Sequence, residues 1–342
     1  MKLNRTISVA PMMACTDRHF RYLARLISRH AMLYSEMITT GALLQGNALR
    51  FLAYDAAEHP LALQLGGCVP TDMARCARLA EEAGYDEVNI NVGCPSDRVK
   101  AARFGACLMA EPEVVADCVA AMHAAVKIPV TVKTRIGIDS RDSFEALANF
   151  IEVVSAAGCE TFVIHARKAW LKGLSPRENR ELPPLRCDMV YLCKRAFPGL
   201  EIIINGGIKT LAQAREHLTL VDGVMLGRAA YHNPYLLAEI DRSFYDALNA
   251  VPTRDQVLER YLLYVEVQRA QGVPLGRITP HLMGLFQGQP GARAWRRYLS
   301  EDGREACTDA GEIVRTARQV IFEKRHAPRP CTTDPQQRQF VS

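Results

Sequence analysis

Short apolar runs recur along this chain. Each ends in polar or glycine residues and is followed by a longer segment whose apolar positions repeat at the helical period until a glycine closes it. The runs ISVAPMM, MLYSEMI, LALQLGG, EVNINVGCP, VTVKTR, TFVIHAR, IIINGGI and GVMLGRA read as eight strands. Two of the intervening helices are plain. TDMARCARLAEEAGYD starts at Thr71 as a cap and stops at Gly84; DSFEALANFIEVVSAAGCE opens with Asp142 and Glu145, carries Leu147, Ile151 and Val154 on one face, and stops at Gly158. Strands alternating with helices predict an α/β fold, specifically a (β/α)8 TIM barrel. A doubly wound open sheet is the alternative, but it would place a glycine-rich dinucleotide turn after the first strand, where this chain has PMMACTD.

Past Pro252 the strand signal stops and helical patterning takes over. In DQVLERYLLYVEVQRAQG one side carries Val257, Tyr261, Tyr264, Val265 and Gln268, and GEIVRTARQVIFEKR repeats the pattern later. The expected organisation is a catalytic barrel over 1–249, a C-terminal α-helical domain over 250–326 and a flexible, proline-rich tail over 327–342.

Composition narrows the class. No apolar run reaches the roughly 18 residues a membrane span needs, and the N-terminal MKLNRTISVAPMM lacks the apolar core of an export signal, so a cytoplasmic protein without membrane partners is expected. The 11 cysteines are scattered, odd in number and without a Cys-x-x-Cys pair, which argues for free thiols and against structural zinc. Between Arg254 and Arg329, 13 Lys/Arg stand against 9 Asp/Glu, so most of the formal +5 charge lies in the last quarter. That surplus suits a polyanionic partner, although mixed charge of this kind also makes an ordinary solvated face.

A parallel barrel places its chemistry at the carboxyl ends of its strands. The residues at those ends are Gln64 in the third strand, Asn91 and Cys94 in the fourth, Lys133 in the fifth, His165 and Arg167 in the sixth, Asn205, Gly206 and Gly207 in the seventh, and Gly227 with Arg228 in the eighth. Singly, each has a plain structural explanation; on six consecutive strands they predict a site. The glycine-rich ends of the last two strands suit a phosphate, with Arg228 as a charged donor. No carboxylate cluster offers Mg²⁺ or Ca²⁺ an oxygen site, and His165 has no partner at zinc-ligand spacing, so no metal is expected. Two organic phosphates remain open: flavin mononucleotide, or pyridoxal phosphate bonded to Lys133.

The segments APMM, NINVGCPSDRV, FGACLMAEP, VTVKTRIGID, HARKAWLKGLSP, INGGI and DGVMLGRAAYHNPYLL, in this order, resemble the tRNA-dihydrouridine synthases and in particular their A-type branch, over about residues 5–325. The resemblance implies a monomeric, FMN-binding barrel with a helical tRNA-binding domain, which reduces uridine to dihydrouridine in the tRNA D-loop at positions 20 and 20a, with NADPH as electron donor. It places the flavin on Pro11, Met12, Met13, Gln64, Lys133, His165, Asn205, Gly206, Gly207, Gly227 and Arg228. Cys94 matches the catalytic cysteine, while Asn91, Arg177, Arg180, Arg293 and Arg296 match tRNA contacts. One departure stands out: after APMM the family pattern has an acidic residue, and this chain has Ala14.

The chemistry so implied is a hydride from reduced flavin to uracil C6 and a proton from Cys94 to C5. A thiol with an ordinary pKa of about 8.5 is protonated at neutral pH and suits that role. Asn91 would hold the uracil edge, and Lys133 would face the negative charge of the reduced flavin. SDRVKAARFGACLM reads as a basic lid, and Arg293, Arg296 and Arg297 interleaved with Trp295 and Tyr298 as an RNA-contact strip, with Trp295 as a packed core residue the alternative. Two other functions fit parts of the pattern: a flavin barrel reducing a small enone, and a lyase forming a Schiff base on Lys133.

Overall fold

In the computed structural model, which describes residues 3–300 together with Gln319, eight parallel strands close on themselves in chain order. They are β1 (Ile7–Val9), β2 (Met32–Thr39), β3 (Leu61–Gly66), β4 (Glu87–Val92), β5 (Val130–Arg135), β6 (Thr161–His165), β7 (Glu201–Asn205) and β8 (Gly223–Leu226), and β1 pairs with both β2 and β8. Six of the strands lie within the runs that predict them; β2 runs one residue past its run, to Thr39, and β7 starts one residue before its run, at Glu201.

The helices between them begin and end for local reasons. The helix Pro70–Glu82 starts two residues earlier than a Thr71 cap would have it: Val69 sits at the cap without a side-chain bond, and Pro70 occupies the first turn, where its missing N–H costs nothing. The helix Phe144–Ala156 is capped by Ser143, whose hydroxyl accepts the Ala146 N–H at 3.2 Å, rather than by Asp142. Beyond each helix the chain turns through a left-handed glycine, Gly84 (φ 92°) and Gly158 (φ 107°).

Alternation along the strands decides what faces the barrel axis. Ala62, Val163, Ile203 and Met225 form an interior apolar cluster with Met32 and Tyr34. At the amino-terminal end of the barrel Arg5 pairs with Glu87 at 2.6 Å and Glu201 at 2.9 Å, with Glu87 wholly buried. Two and four residues further along the same strands come Asn89 and Asn91, Lys133 and Arg135 after Thr131, His165 after Val163, and Asn205 after Ile203. Register then sets neighbours: Asn91 lies opposite Lys133, Arg135 opposite His165, and His165 opposite Asn205.

Contacts divide the chain into two units, Met1–Tyr261 and Leu262–Ser342, a division that falls inside the helix Arg254–Ala270. All five residues expected on its apolar side are buried. In the second unit the described residues are helical: short 3-10 turns at Leu275–Arg277 and Thr279–Gly284, and the helix Ala292–Ser300. Trp295 is wholly buried there. Its Nε1 donates to the Leu282 carbonyl at 2.8 Å and its ring meets Phe286 edge-on, so within the expected RNA-contact strip the indole is core. The segment GEIVRTARQVIFEKR, apart from Gln319, and the expected tail lie outside the described residues. Among the described residues no helix is long and apolar enough to cross a membrane.

Candidate active site

A one-way chain of hydrogen bonds climbs the barrel interior to the loop that carries Cys94. Thr131 Oγ1 donates to the Glu87 carboxylate (2.6 Å), Asn89 Nδ2 to Thr131 Oγ1 (2.8 Å), Gln64 Nε2 to Asn89 Oδ1 (2.8 Å), and Asn91 Nδ2 to Gln64 Oε1 (2.9 Å). The backbone N–H groups of Gly93 and Cys94 then donate to Asn91 Oδ1, at 3.2 and 3.0 Å. The carboxylate can only accept and the backbone N–H groups can only donate, so both ends demand the same amide orientations. This is why a buried strand tolerates two asparagines. Asn91 Oδ1 is thereby committed to the Cys94 loop, and one Nδ2 hydrogen is left for a ligand.

Three further contacts place Cys94. Arg135 Nε donates to the Gly93 carbonyl at 2.8 Å, and the same guanidinium reaches the carbonyls of Lys168 and Asn179, both at 3.1 Å. The Cys94 carbonyl accepts from Ala106 N at 2.9 Å, beneath Gly105, where any Cβ would lie 2.6 Å from that oxygen. Cys94 Sγ, only partly buried, lies 3.6 Å from Ser96 Oγ. Sequence reasoning missed Arg135, although its position two residues past Lys133 puts it on the same inward face.

Around this cysteine the mouth is cationic. Burial, then the Arg135 charge, pushes the Lys133 ammonium down from an ordinary 10.5 to about 7; its Nζ donates to Asn205 Oδ1 at 3.3 Å, and Asn205 Nδ2 anchors on the Met225 carbonyl at 2.7 Å. Burial, then Arg135 and Lys133, holds His165 well below its ordinary value, so the imidazole is neutral at pH 7. Gly206 (φ 115°) lets that ring lie close: a Cβ there would sit 2.5 Å from His165 Cδ2. A Cβ on Gly207 (φ 74°) would sit 2.4 Å from Leu185, whereas one on Gly227 would meet nothing nearer than 4.0 Å. Arg228 is exposed and paired with Glu181 at 2.5 Å. Nearby, the buried Nε of Arg167 has no partner, and burial followed by the Arg228 charge lowers that guanidinium's pKa.

The remaining expected residues lie as follows. Pro11, Met12 and Met13 form the turn after β1. The Met12 amide donates to Thr16 Oγ1 at 2.9 Å and its carbonyl accepts from Cys15 and Thr16, which leaves Met13 as the exposed part. Ala14 adopts φ 58°, and its N–H donates to the Glu36 carboxylate, so β2 brings an acidic group to the position where the chain itself lacks one. Arg180 is close enough to Cys94 for their charges to act on each other, and Arg177 is exposed, 3.7 Å from Glu181. In the second unit Arg293 is exposed and Arg296 donates to Gln287 at 2.7 Å. In the basic segment after Cys94, Lys100 is tied to the Leu171 carbonyl and to Asp97, and Arg103 lies 3.5 Å from Glu111. Among the described residues no group of three His, Cys, Asp or Glu side chains could hold a metal ion.

A partnerless buried Arg167 Nε, a set of cations that lower one another's pKa values, and the open space at Gly227 together suit an anionic ligand; the neutral amides and imidazole beside them suit a flat heterocycle. A flavin mononucleotide meets both demands. The chain's matches agree with this site. Residues 8–320 match the dihydrouridine synthase family. The tRNA-dihydrouridine(20/20a) synthase of Shewanella oneidensis is 60% identical over 320 residues, 93% of this chain and 95% of that protein. The protein of the same name from Synechocystis sp. is 56% identical over 92% of this chain and 94% of its own length. Among solved structures, a complex of 2-naphthoyl-CoA reductase with 2-naphthoyl-CoA superposes with a TM-score of 0.56 at 13% identity, over 71% of this chain and 51% of that one, which is a likeness of fold. With a closed barrel, a cysteine presented at a cationic mouth and a family match over nearly its whole length, the chain belongs to the dihydrouridine synthases.

Proposed function

We propose that this protein reduces uridine to 5,6-dihydrouridine in tRNA, at D-loop positions 20 and 20a, as a cytoplasmic, monomeric enzyme that uses FMN and NADPH. The observation that carries the reading is the placement of Cys94, an accessible thiol held by Asn91, Arg135 and the Gly105 turn at a mouth rich in cations and amides. Gln64, Lys133, His165, Asn205, Gly206, Gly207, Gly227, Arg228 and the turn at Pro11–Met13 would hold the flavin. Once bound, and reduced by NADPH, it supplies a hydride for uracil C6.

The chain's own residues complete the addition across C5=C6. Cys94 delivers the proton from Sγ to C5 and leaves a thiolate, which Ser96 Oγ and the Arg180 charge are placed to stabilise. Asn91 offers its remaining N–H to a uracil carbonyl, while its oxygen fixes the loop. Lys133, its pKa depressed by burial and then by Arg135, would regain its proton beside an anionic partner and so offer that partner a positive charge. A uracil in a folded tRNA must leave its stack to reach this depth, so recognition falls to shape and phosphate contacts. Arg177 and Arg180 at the mouth, and Arg293 and Arg296 on the helix Ala292–Ser300, serve them.

The test is dihydrouridine content, by mass spectrometry, in tRNA from cells lacking the gene and complemented with wild type or Cys94→Ala. Loss at positions 20 and 20a, restored by wild type alone, supports both substrate and proton donor. Dihydrouridine unchanged at every site, in cells with no other synthase, overturns the tRNA reading.

A further inference from the structure

Beside the mouth, the loop after β6 keeps Trp170 39% exposed, while the chain's other tryptophan is wholly buried. That exposure is built in. Asn179, itself fully buried, accepts the Trp170 backbone N–H at 2.8 Å through Oδ1 and donates Nδ2 to the carbonyls of Trp170 (3.0 Å) and Leu174 (3.1 Å). Arg135 closes on the Asn179 carbonyl with the guanidinium that also holds Gly93, so one side chain braces both this loop and the Cys94 loop.

Trp170, Leu174, Leu182 and Pro183 line an open cleft of about 370 Å³, within the range that holds small planar ligands. Its charged rim is Lys168, Arg186 and Asp142. The Lys168 ammonium stands 4.2 Å from the Trp170 ring centroid and is steadied there by Asp142 at 2.9 Å. Between residues 166 and 180 the chain carries five Lys/Arg (167, 168, 172, 177, 180) against one acid, Glu178. An accessible indole on a loop whose backbone Asn179 pins, among several cations, has the two elements that bind single-stranded nucleic acid: a stacking surface and phosphate complementarity.

We propose that Trp170 and this cleft form a second nucleotide subsite, which takes by stacking an unstacked nucleobase of the same tRNA strand that delivers its uridine to Cys94. This rests on the reading of the protein as a tRNA uridine reductase. Two bases, not one, then leave the D-loop stack on binding, and the subsite sets which uridine faces Cys94.

Both tryptophans emit, so the Trp170 signal is the tRNA-dependent change that Trp170→Phe removes. Titrating unmodified tRNA into the FMN-loaded enzyme should quench tryptophan emission saturably, and Trp170→Phe should abolish that change while keeping KM for tRNA within about twofold, since a π face remains. Trp170→Ala should raise KM for tRNA about tenfold, the effect expected on losing one base–aromatic stack, with flavin absorbance unaltered. Normal tRNA reduction by Trp170→Ala at unchanged KM, or no quenching in a wild type that reduces tRNA, overturns the subsite and leaves the function standing. Wild type that neither binds nor reduces tRNA overturns both.

Discussion

Replacing Lys133 by methionine should make the flavin-free protein more stable, with a size that depends on pH. Burial and Arg135 lower the Lys133 pKa from 10.5 to about 7. A lysine whose native pKa lies below its unfolded value penalises folding. The penalty is full below about pH 7, where a charge is buried in the native state, and it shrinks as pH rises toward 10.5, where the unfolded chain also loses its proton. The gap between 10.5 and about 7, at about 1.4 kcal/mol per pH unit, is about 5 kcal/mol. Lys133 keeps partial contact with water at the mouth and a bond to Asn205, which screens the charge, so ~2 kcal/mol is the working magnitude. At about pH 6 the flavin-free Lys133→Met protein should therefore melt roughly 3–4 °C above wild type. The gain should narrow steadily toward about pH 9. With flavin added the order should reverse, because the anionic partner restores the ammonium that methionine cannot supply. Thermal unfolding of both proteins across this range, with and without FMN, measures each arm. A flavin-free variant less stable than wild type at pH 6, or a gain that does not change with pH, would refute the reasoning.

Arg135→Gln should lower kcat for tRNA about a hundredfold, the cost of a displaced reacting group, with the flavin spectrum little changed; Arg135→Lys should not restore it, since three carbonyls need a planar fork. Gly206→Ala forces a Cβ to 2.5 Å from His165 at φ 115°, so FMN affinity and melting temperature should both fall; retention of both would show that the ring can move aside. Glu87→Ala leaves Arg5 buried beside Glu201 alone, and denaturant unfolding should register a loss of about 3 kcal/mol or more.

Much of the site was legible in the chain because strand period 2 is a local property. Once EVNINV and VTVKTR are strands, Glu87, Asn89 and Asn91 share one face, and Lys133 and Arg135 another, and a barrel turns both faces inward. Local chemistry also misled at its own scale. Thr71 and Asp142 are good caps by type, but Val69, followed by Pro70, and Ser143 hold those positions, because phase along the chain decides which residue stands at the start of the helix.

By itself, then, the sequence determined the eight-stranded alternation, the inward register of the polar set and the place of Cys94 at the end of the fourth strand. Only the tertiary structure decided what each buried polar group pairs with. Asn91 reaches Gln64 across 27 residues, Arg135 reaches Gly93 across 42, Glu36 supplies the carboxylate that Ala14 lacks, and Trp295 turns its indole to Leu282 rather than to solvent. The physical reason is range: periodicity and propensity act over a few residues. A hydrogen bond needs its partner within about 3 Å, and which distant residue arrives there is settled by closure of the barrel and packing of the helical unit.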